Sequence, residues 1–319
     1  MSVAADAPRR IGIFGWLFGA LISLVFGTLL SLTAVTSLIV LGWLMRRMRF
    51  VAFGMAGLPG DRPGWILGSG GRIARLFGGL AANIREGILA AISLAIATAP
   101  FAVIWLLSWW AGWENSFSKG YEQAFVGPAL GLGGVAVFCV TMVWLPMALA
   151  HQAAENRGFA LFELKRVRSA VRHSGWGYLF LALATVIAAL PIFASRGLVV
   201  FASGIVPGFD DMSVDQIAGL QGGADLLVAA YVFVALVVLR GWAARVYARA
   251  VARALDGPEA DLWVSSPLSD GKKGGNRPWR LTHWLRVLVL LAVWFGLAAQ
   301  VFVGQFLNHD WHIWLTHPM

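Results

Sequence analysis

Six long apolar stretches, separated by shorter polar segments, dominate the sequence. They cover approximately residues 13–45, 88–110, 126–150, 176–194, 226–245 and 287–306. A helix needs about 20 apolar residues to cross a bilayer, and in lipid every backbone polar group must be paired, which helices achieve within one segment. We therefore predict an all-α integral membrane helical bundle. It would be a single polytopic domain over residues 1–319 with about six transmembrane helices.

Composition excludes a soluble globular protein. Hydrophobic residues make up 59% of the chain and charged residues only 13%, whereas soluble domains carry about 25% charged residues. The net charge of +9 does not indicate nucleic-acid binding, because the basic residues lie between the apolar stretches instead of on one polar domain. We expect the bilayer, and no nucleic acid, to be the main partner of the chain.

The distribution of the basic residues predicts the orientation. Most of the 25 Lys and Arg residues lie in three segments, 46–87, 151–175 and 240–286, and the alternate gaps hold only Lys119 and Arg196. Loops rich in Lys and Arg stay on the cytoplasmic side of a membrane. The sequence therefore predicts a multi-pass protein of a bacterial inner membrane, with these three segments in the cytoplasm.

The first apolar stretch is compatible with two arrangements. A single crossing would place Arg9 and Arg10 outside, against the trend of the other basic residues, and one helix over the stretch would measure about 50 Å. A helical hairpin with its turn around residues 27–31 would keep both ends in the cytoplasm. We favour the single crossing, because non-helical backbone inside a bilayer must be sheltered by protein.

Residues 157–173 are the first candidate contact for anionic lipid headgroups or a protein partner. They combine apolar side chains with Lys165, Arg166, Arg168 and Arg172. This pattern is typical of an amphipathic helix lying in the membrane interface, with its cations toward the headgroups. It also fits a simple connector between two membrane helices that follows the positive-inside rule, and we favour the connector.

A second candidate contact is the cationic stripe of Arg245, Arg249 and Arg253. These residues recur every four positions, so they line one face of a helix that continues the fifth apolar stretch. Tyr247 would lie on the other face. Such a stripe is either a solvated face or a surface for phosphates or an acidic partner.

The other sequence patterns argue against a catalytic, cofactor-binding or metal-binding site. The Gly-rich segment 54–79 lacks the spacing of a phosphate-binding loop and predicts a flexible connection. Paired carboxylates, a nucleophile elbow and a metal-ligand spacing are not recognisable, so we predict no catalytic, cofactor-binding or metal-binding residues and no enzyme. The middle of each apolar stretch lacks ionisable groups. The deep polar groups, among them Gln300 and the hydroxyls of Ser31, Thr33 and Thr36, suit helix–helix hydrogen bonds.

Two short motifs carry a family resemblance. Residues 166–179 read Arg-Val-Arg-Ser-Ala-Val-Arg-His-Ser-Gly-Trp-Gly-Tyr-Leu and run into an apolar stretch, and residues 41–46 read Leu-Gly-Trp-Leu-Met-Arg. Both are similar to elements of bacterial membrane proteins in the domain-of-unknown-function 4013 family. The resemblance implies a multi-helix membrane fold without an assigned activity, and it transfers no site residues.

We therefore expect a non-enzymatic inner-membrane protein that acts as a scaffold or accessory subunit of a membrane complex. Its basic cytoplasmic surfaces would contact anionic lipid, a membrane-protein partner or a second copy of the chain. The alternative is a channel or transporter for a neutral or apolar substrate, which needs no buried charge. An enzyme would gain support if His151 and His173 converged with Glu155 or Glu163 in one cytoplasmic pocket.

Overall fold

A computed structural model describes residues 13–68, 72–118, 126–197, 202–269 and 280–306. These residues form helices, turns and connecting segments, with no strand among them. The α-helices are α1 (Ile13–Ser31), α2 (Ala34–Ala56), α3 (Arg72–Ser118), α4 (Val126–Glu155), α5 (Leu164–His173), α6 (Trp176–Gly197), α7 (Ala202–Ile205), α8 (Val214–Leu255) and α9 (Arg280–Phe306). Short 3-10 turns lie at Gly158–Phe162, Phe209–Asp211 and Ala260–Leu262. The prediction of an all-helical protein is confirmed for these ranges.

Several helices are long and apolar enough to cross a membrane. Within the described ranges there are four such segments, Leu76–Ser108, Val126–Glu155, Val214–Leu255 and His283–Gln300. A fifth is obtained if α5 and α6, which meet at a bend of 98°, are counted as one broken span. The chain is thus a multi-span helical protein, as predicted, but the count of six spans is not confirmed.

The first apolar stretch is a helical hairpin. α1 ends at Ser31 and α2 begins at Ala34. The indole Nε1 of Trp65 donates to Ser23 Oγ at 3.2 Å, while the Trp65 ring stacks on Trp43 of α2 with the ring centroids 4.5 Å apart. In one straight helix, residues 23 and 43 would be about 30 Å apart. The favoured prediction of a single crossing is therefore wrong, because α1 folds back along α2.

Hydroxyl groups form the turn of this hairpin. Thr33 caps α2 by accepting a hydrogen bond from the backbone N of Thr36 at 3.2 Å. The Thr36 hydroxyl donates to the carbonyl O of Leu30 at 2.7 Å, and the Ser31 hydroxyl donates to Gly27 O at 2.7 Å. These bonds satisfy backbone groups that the two helix ends leave free. Ser31 and Thr33 thus bond locally at the turn. The Thr36 hydroxyl joins α2 to α1, and Gln300 Nε2 of α9 donates to Val186 O of α6 at 3.3 Å, so these two groups form bonds between helices as predicted.

Glycines bring α2 close to α3. An ideal Cβ on Gly42 would lie 1.8 Å from the carbonyl O of Asn83, and one on Gly87 would lie 1.9 Å from Leu38 O. Small residues allow such backbone contact between membrane helices. The ring of Phe233 on α8 occupies the position that a Cβ on Gly27 of α1 would take. α8 therefore also packs against the hairpin.

The connection after α2 is fixed by hydrogen bonds over residues 58–68. Trp43 Nε1 donates to Pro63 O at 3.3 Å, and the amide of Asn83 donates to Gly64 O at 3.2 Å and to Trp65 O at 3.0 Å. Asn83 is fully buried. This part of the Gly-rich segment is therefore a bound strap and not the flexible connection that we predicted, while residues 69–71 lie outside the described ranges.

The three basic segments meet at one end of the bundle, which we call the basic end. A Cβ on Gly241 would lie 3.9 Å from Arg47 Nη1, and Arg166 Nε donates to Leu262 O at 2.8 Å. Residues 147–155 of α4 are all buried there, surrounded by α2, α3, α5 and α8. The basic end therefore contains a well-packed core, which includes the last residues of the α4 span.

Candidate functional site

α5 is docked on the protein by its apolar face. Val167, Ala170 and Val171 are at most 7% exposed and pack toward α4 and α8. The buried indole of Trp263 donates to the hydroxyl of Ser169 at 3.1 Å, which fixes the helix from a second side. A single interfacial helix over residues 157–173 is not what the structure shows, because residues 158–162 form a 3-10 turn and the apolar face of α5 meets protein.

A buried histidine joins three elements at the start of α5. His151 of α4 is fully buried, with Nδ1 2.7 Å from the hydroxyl of Tyr247 on α8 and Nε2 2.9 Å from Glu163 Oε2. A neutral imidazole that is protonated on Nε2 satisfies both contacts, because it donates to the carboxylate and accepts from the hydroxyl. The ring of Trp263 lies edge-on to His151 with the centroids 5.7 Å apart. We call this set the His151 network.

Two arginines neutralise the carboxylates of the His151 network. Arg157 lies 2.6 Å from Glu163 and 3.2 Å from Glu155, and Arg166 lies 3.0 Å and 3.8 Å from the same two carboxylates. Burial disfavours the ionised form of Glu163, but the hydrogen bond with His151 and the charges of Arg157 and Arg166 outweigh it. The pKa of Glu163 is therefore below its ordinary value, and its carboxylate is ionised at neutral pH.

Two of the cavities at the basic end border α5. The α4–α5 cavity, of about 630 Å³, borders the His151 network. Charged residues form much of its wall, namely Glu155, Arg157, Glu163, Lys165 and Arg166. Both of its carboxylates are already engaged by arginines, so neither is available as a free base.

The second cavity, of about 660 Å³, lies between α5, the end of α8 and the start of α9. We call it the α5–α9 cavity. It is lined by three arginines and by His173, His283 and Trp284, together with Asp256 and Glu259. The arginines are Arg168, Arg172 and Arg253.

Hydrogen bonds hold most of this wall in place. Arg172 pairs with Glu259, and Arg253 Nη1 donates to the carbonyl O of His173 at 3.0 Å. Arg286 of α9 donates to the carbonyl O of Arg172 at 3.2 Å. Arg168 is exposed, and among the described residues no acidic side chain lies within ion-pair distance of it. Among the described residues, Arg168 and Arg253 are thus the two arginines of the cavity without an acidic partner.

The candidate contacts predicted around α5 are split between the two cavities. Arg168 and Arg172 converge with Arg253, although Arg253 is about 80 residues away in sequence. Lys165 and Arg166 lie on the other side of α5, in the α4–α5 cavity. The predicted stripe on α8 therefore contributes one arginine to a site that it shares with α5.

The remaining stripe residues lie on the open surface of α8. Arg245 and Arg249 are exposed, while Tyr247 between them is fully buried. This arrangement confirms that the four-residue spacing places the cations on one helix face and Tyr247 on another. Arg253, two turns after Arg245, is partly buried because it reaches the carbonyl of His173.

His151 and His173 do not meet in one pocket, so the arrangement that would have favoured an enzyme is incomplete. His151 does meet Glu155 and Glu163, but His173 belongs to the α5–α9 cavity, where its Nδ1 lies 2.9 Å from Ser169 O and 3.8 Å from Glu259. Both nitrogens of His151 are engaged, so the ring has no free position for a substrate. Within the described ranges, no three His, Cys, Asp or Glu side chains are grouped in a way that could hold a metal ion.

Sequence reasoning missed the residues that assemble the site. Tyr247 was assigned to the face opposite the cations without a partner, and Trp263, Ser169 and Glu259 were not singled out. Each of them contacts a residue about 90 positions away along the chain. The available signal was a lone Trp and a lone Tyr in polar, Ala-rich surroundings, since such rings usually bury their polar atom against a partner.

Comparisons with known proteins do not add to this geometry. No protein-family model matches the chain, and neither the curated proteins nor the solved structures compared with it gave a match. The resemblance to the domain-of-unknown-function 4013 family thus stays a prediction. The function must be inferred from the site itself.

Proposed function

We propose that this protein is a non-enzymatic scaffold or accessory subunit of a bacterial inner-membrane complex. Its basic end would lie in the cytoplasm and present a fixed cationic surface to anionic lipid or to an acidic partner. The observation that carries the proposal is the docking of α5, whose Arg166 is held on the buried His151 network while Arg168 and, on α8, Arg245 and Arg249 face outward. The orientation follows from the excess of Lys and Arg at this end.

Cations that are already ordered favour the binding of a partner. A partner that meets already ordered side chains pays less conformational entropy on association, and complementary charge raises both the association rate and the selectivity. Arg166 is ordered by Glu163, by Leu262 O at 2.8 Å and by Ser265. The exposed Arg245 and Arg249 project from a continuous helix, α8, which is anchored through Tyr247.

The His151 network supports a structural role for the charged residues. A catalytic base or nucleophile needs an accessible atom and a proton to transfer. In this network the imidazole is fully buried and both carboxylates face arginines. Its hydrogen bonds join α4 to α8 and to the start of α5.

The proposal is tested by gentle purification from native membranes followed by mass spectrometry of co-isolated proteins. The variant Arg245→Gln/Arg249→Gln removes the two exposed cations of α8 without touching either cavity, and Arg245→Lys/Arg249→Lys is the matched control that keeps them. We expect a stoichiometric partner with the native chain and with the Lys control, and its loss in the Gln variant. A homogeneous preparation of the native chain with no partner would contradict the proposal.

A channel or transporter for a neutral or apolar substrate is the second candidate, and the α1–α2 hairpin favours it. At 1.5 Å per residue its turn lies about 20 Å from Arg46, which is within a hydrocarbon core of about 30 Å. Non-helical backbone at such depth occurs where protein shelters it or where it lines a cavity, as in transporters with broken helices. Substrate flux into liposomes that contain the purified protein would support this candidate, and tight liposomes would exclude it.

A further inference from the structure

We propose that the α5–α9 cavity binds the phosphate of an anionic phospholipid, whose acyl chains lie along the apolar start of α9. This inference deepens the proposed function, because it names the lipid class for one part of the cationic surface and rests on the basic end lying at a membrane interface. It concerns residues other than the exposed Arg245 and Arg249.

The charges of the cavity favour an anion. Arg172 is neutralised by Glu259, which leaves Arg168 and Arg253 facing the cavity with the exposed carboxylate of Asp256. Arg253 uses Nη1 for the carbonyl of His173, and a guanidinium has five N–H donors, so further donors are available. Guanidinium groups bind phosphate oxygens through paired, charge-assisted hydrogen bonds.

Arg253 is held in position before any ligand arrives. The chain between α5 and α6 turns at Gly175, where φ is +68°, and a Cβ there would lie 3.1 Å from Arg253 Nη1. Arg286, only 5% exposed, donates to Arg172 O and places another positive charge behind the cavity. A ligand therefore meets ordered backbone and an ordered Arg253, which lowers the entropic cost of binding.

The surroundings of the cavity favour a lipid over a free phosphate. Trp284 lines the cavity and is 65% exposed, and Leu285 and Leu288 on the following turn of α9 are 54% and 62% exposed. The apolar span of α9 begins at His283. Trp is enriched where headgroups meet acyl chains. The phosphate site is therefore continuous with a surface suited to acyl chains.

The size of the cavity also fits. Its volume of about 660 Å³ lies in the range of small-molecule sites, about 300–1,000 Å³. This space accommodates a phosphate together with a small headgroup such as glycerol. The acyl chains stay outside it.

The test is native mass spectrometry of the full-length protein, titrated with phosphatidylglycerol or with phosphatidylcholine of the same acyl chains. We expect selective retention of phosphatidylglycerol by the native chain. Arg168→Gln should lower its affinity by about five- to tenfold, since one interfacial cation contributes about 1 kcal/mol or more to anionic-lipid binding. Arg168→Lys should keep most of the affinity, and Arg85→Gln, which removes an exposed charge of α3 outside the cavity, should keep all of it.

Arg168 is exposed, so its replacement is not expected to disturb folding, which size-exclusion chromatography checks. Trp284→Ala is the second variant, and it should weaken phosphatidylglycerol while leaving the retention of phosphatidylcholine unchanged. Equal retention of the two lipids, or phosphatidylglycerol binding that Arg168→Gln leaves intact, would overturn the proposal. Displacement of the lipid by excess inorganic phosphate would also overturn it, because the site would then be one for a small soluble anion.

The outcome can be separated from that of the partner experiment. Lipid selectivity that is lost in Arg168→Gln, in a chain that never co-isolates a protein, would support the lipid site and contradict the scaffold role. A partner that is retained by Arg168→Gln, together with unselective lipid binding, would support the scaffold role and contradict the lipid site.

Discussion

The contact between α2 and α3 depends on two residues without side chains. Gly42 faces the carbonyl O of Asn83, and Gly87 faces Leu38 O, so each glycine admits the backbone of the neighbouring helix. Asn83 in turn holds the strap of residues 58–68 and accepts a hydrogen bond from Arg46 at 2.8 Å. A change at this contact therefore affects both the helix pair and the strap.

We expect Gly42→Ala to destabilise the protein. Its methyl group would lie 1.8 Å from Asn83 O, and because the obstacle is backbone, the two helices must separate. Overpacking of this kind costs about 1–3 kcal/mol of unfolding free energy. Unfolding in detergent, followed by circular dichroism, measures the loss.

Gly54→Ala is the matched control on the same helix. No atom lies within 4 Å of a Cβ at position 54, and Ala favours a helix over Gly by about 0.5–1 kcal/mol. Its stability should equal or exceed that of the native chain. Equal stability of the two variants would show that α2 and α3 are farther apart than described.

Glu163 provides a test by pH. Its pKa lies below the ordinary value of 4.5, so its ionised form stabilises the folded state. That contribution is complete above the unfolded pKa and is lost as the pH falls through the folded pKa. We expect the native chain to be more stable than Glu163→Gln at neutral pH, and the difference to shrink below about pH 4.5.

Melting temperatures of both proteins from about pH 7 down to about pH 3 measure this difference. Glu163→Gln keeps the shape of the side chain and an acceptor for the His151 N–H, so the comparison isolates the charge. Parallel curves for the two proteins would contradict an ionised Glu163 in the His151 network.

At the scale of elements, apolar length predicts helices well where lipid surrounds them. The stretches 88–110, 126–150, 226–245 and 287–306 all lie within helices that meet the requirements for a span. A bilayer demands such lengths, so composition alone reveals them. The arginine stripe also predicted that α8 continues beyond residue 245, and the helix ends at Leu255. The end of α4 was less predictable, since buried contacts extend this helix to Glu155.

The turns and the candidate site were harder to predict from the sequence. The hairpin turn depends on a few hydroxyls at residues 31–36, which equally suit bonds between helices. The two cavities depend on pairings such as Tyr247 with His151 and Glu259 with Arg172, which only the assembled fold creates. The sequence therefore indicated which helices carry the cations but not which of the cations share a cavity.

The bend of 98° between α5 and α6 rests on one glycine. Gly175 has a φ of +68°, which side-chain-bearing residues rarely adopt, and Arg253 Nη1 would lie 3.1 Å from its Cβ. We expect Gly175→Ala to lower the unfolding free energy by about 1 kcal/mol or more. The loss should be accompanied by faster proteolysis between α5 and α6.

Gly177→Ala, two residues later, is the control. A Cβ at position 177 would make only an ordinary contact, 3.6 Å from Val246 Cγ2, and the residue lies within α6. This variant should resemble the native chain in unfolding and in protease resistance. If Gly175→Ala were equally tolerated, the sharp turn would not determine the position of α5.

At the scale of the whole molecule, the apolar spans differ in how much of them is buried. In the apolar windows of α8 and α9 only 6% and 22% of the residues are buried, whereas 50% are buried in that of α4. Close to the basic end, by contrast, α4 is buried without interruption over residues 147–155. Lipid, or another protein, must therefore cover most of the spans, while the basic end joins the helices to one another.

The orientation of the whole molecule can be tested with single cysteines. Cys139, the only cysteine, is buried and is replaced by Ala; Phe14→Cys, Ser213→Cys or Ser265→Cys then introduces one exposed thiol. The hairpin returns the start of α1 to the basic end, where a Cβ on Gly19 would lie 3.9 Å from Arg62. We therefore expect an impermeant maleimide to label residue 213 in intact spheroplasts, and residues 14 and 265 only after lysis.

Labelling of residue 14 together with residue 213 would instead show that the first apolar stretch crosses the membrane once. Labelling of residue 265 from outside would instead invert the molecule and remove the basis for a cytoplasmic cationic surface.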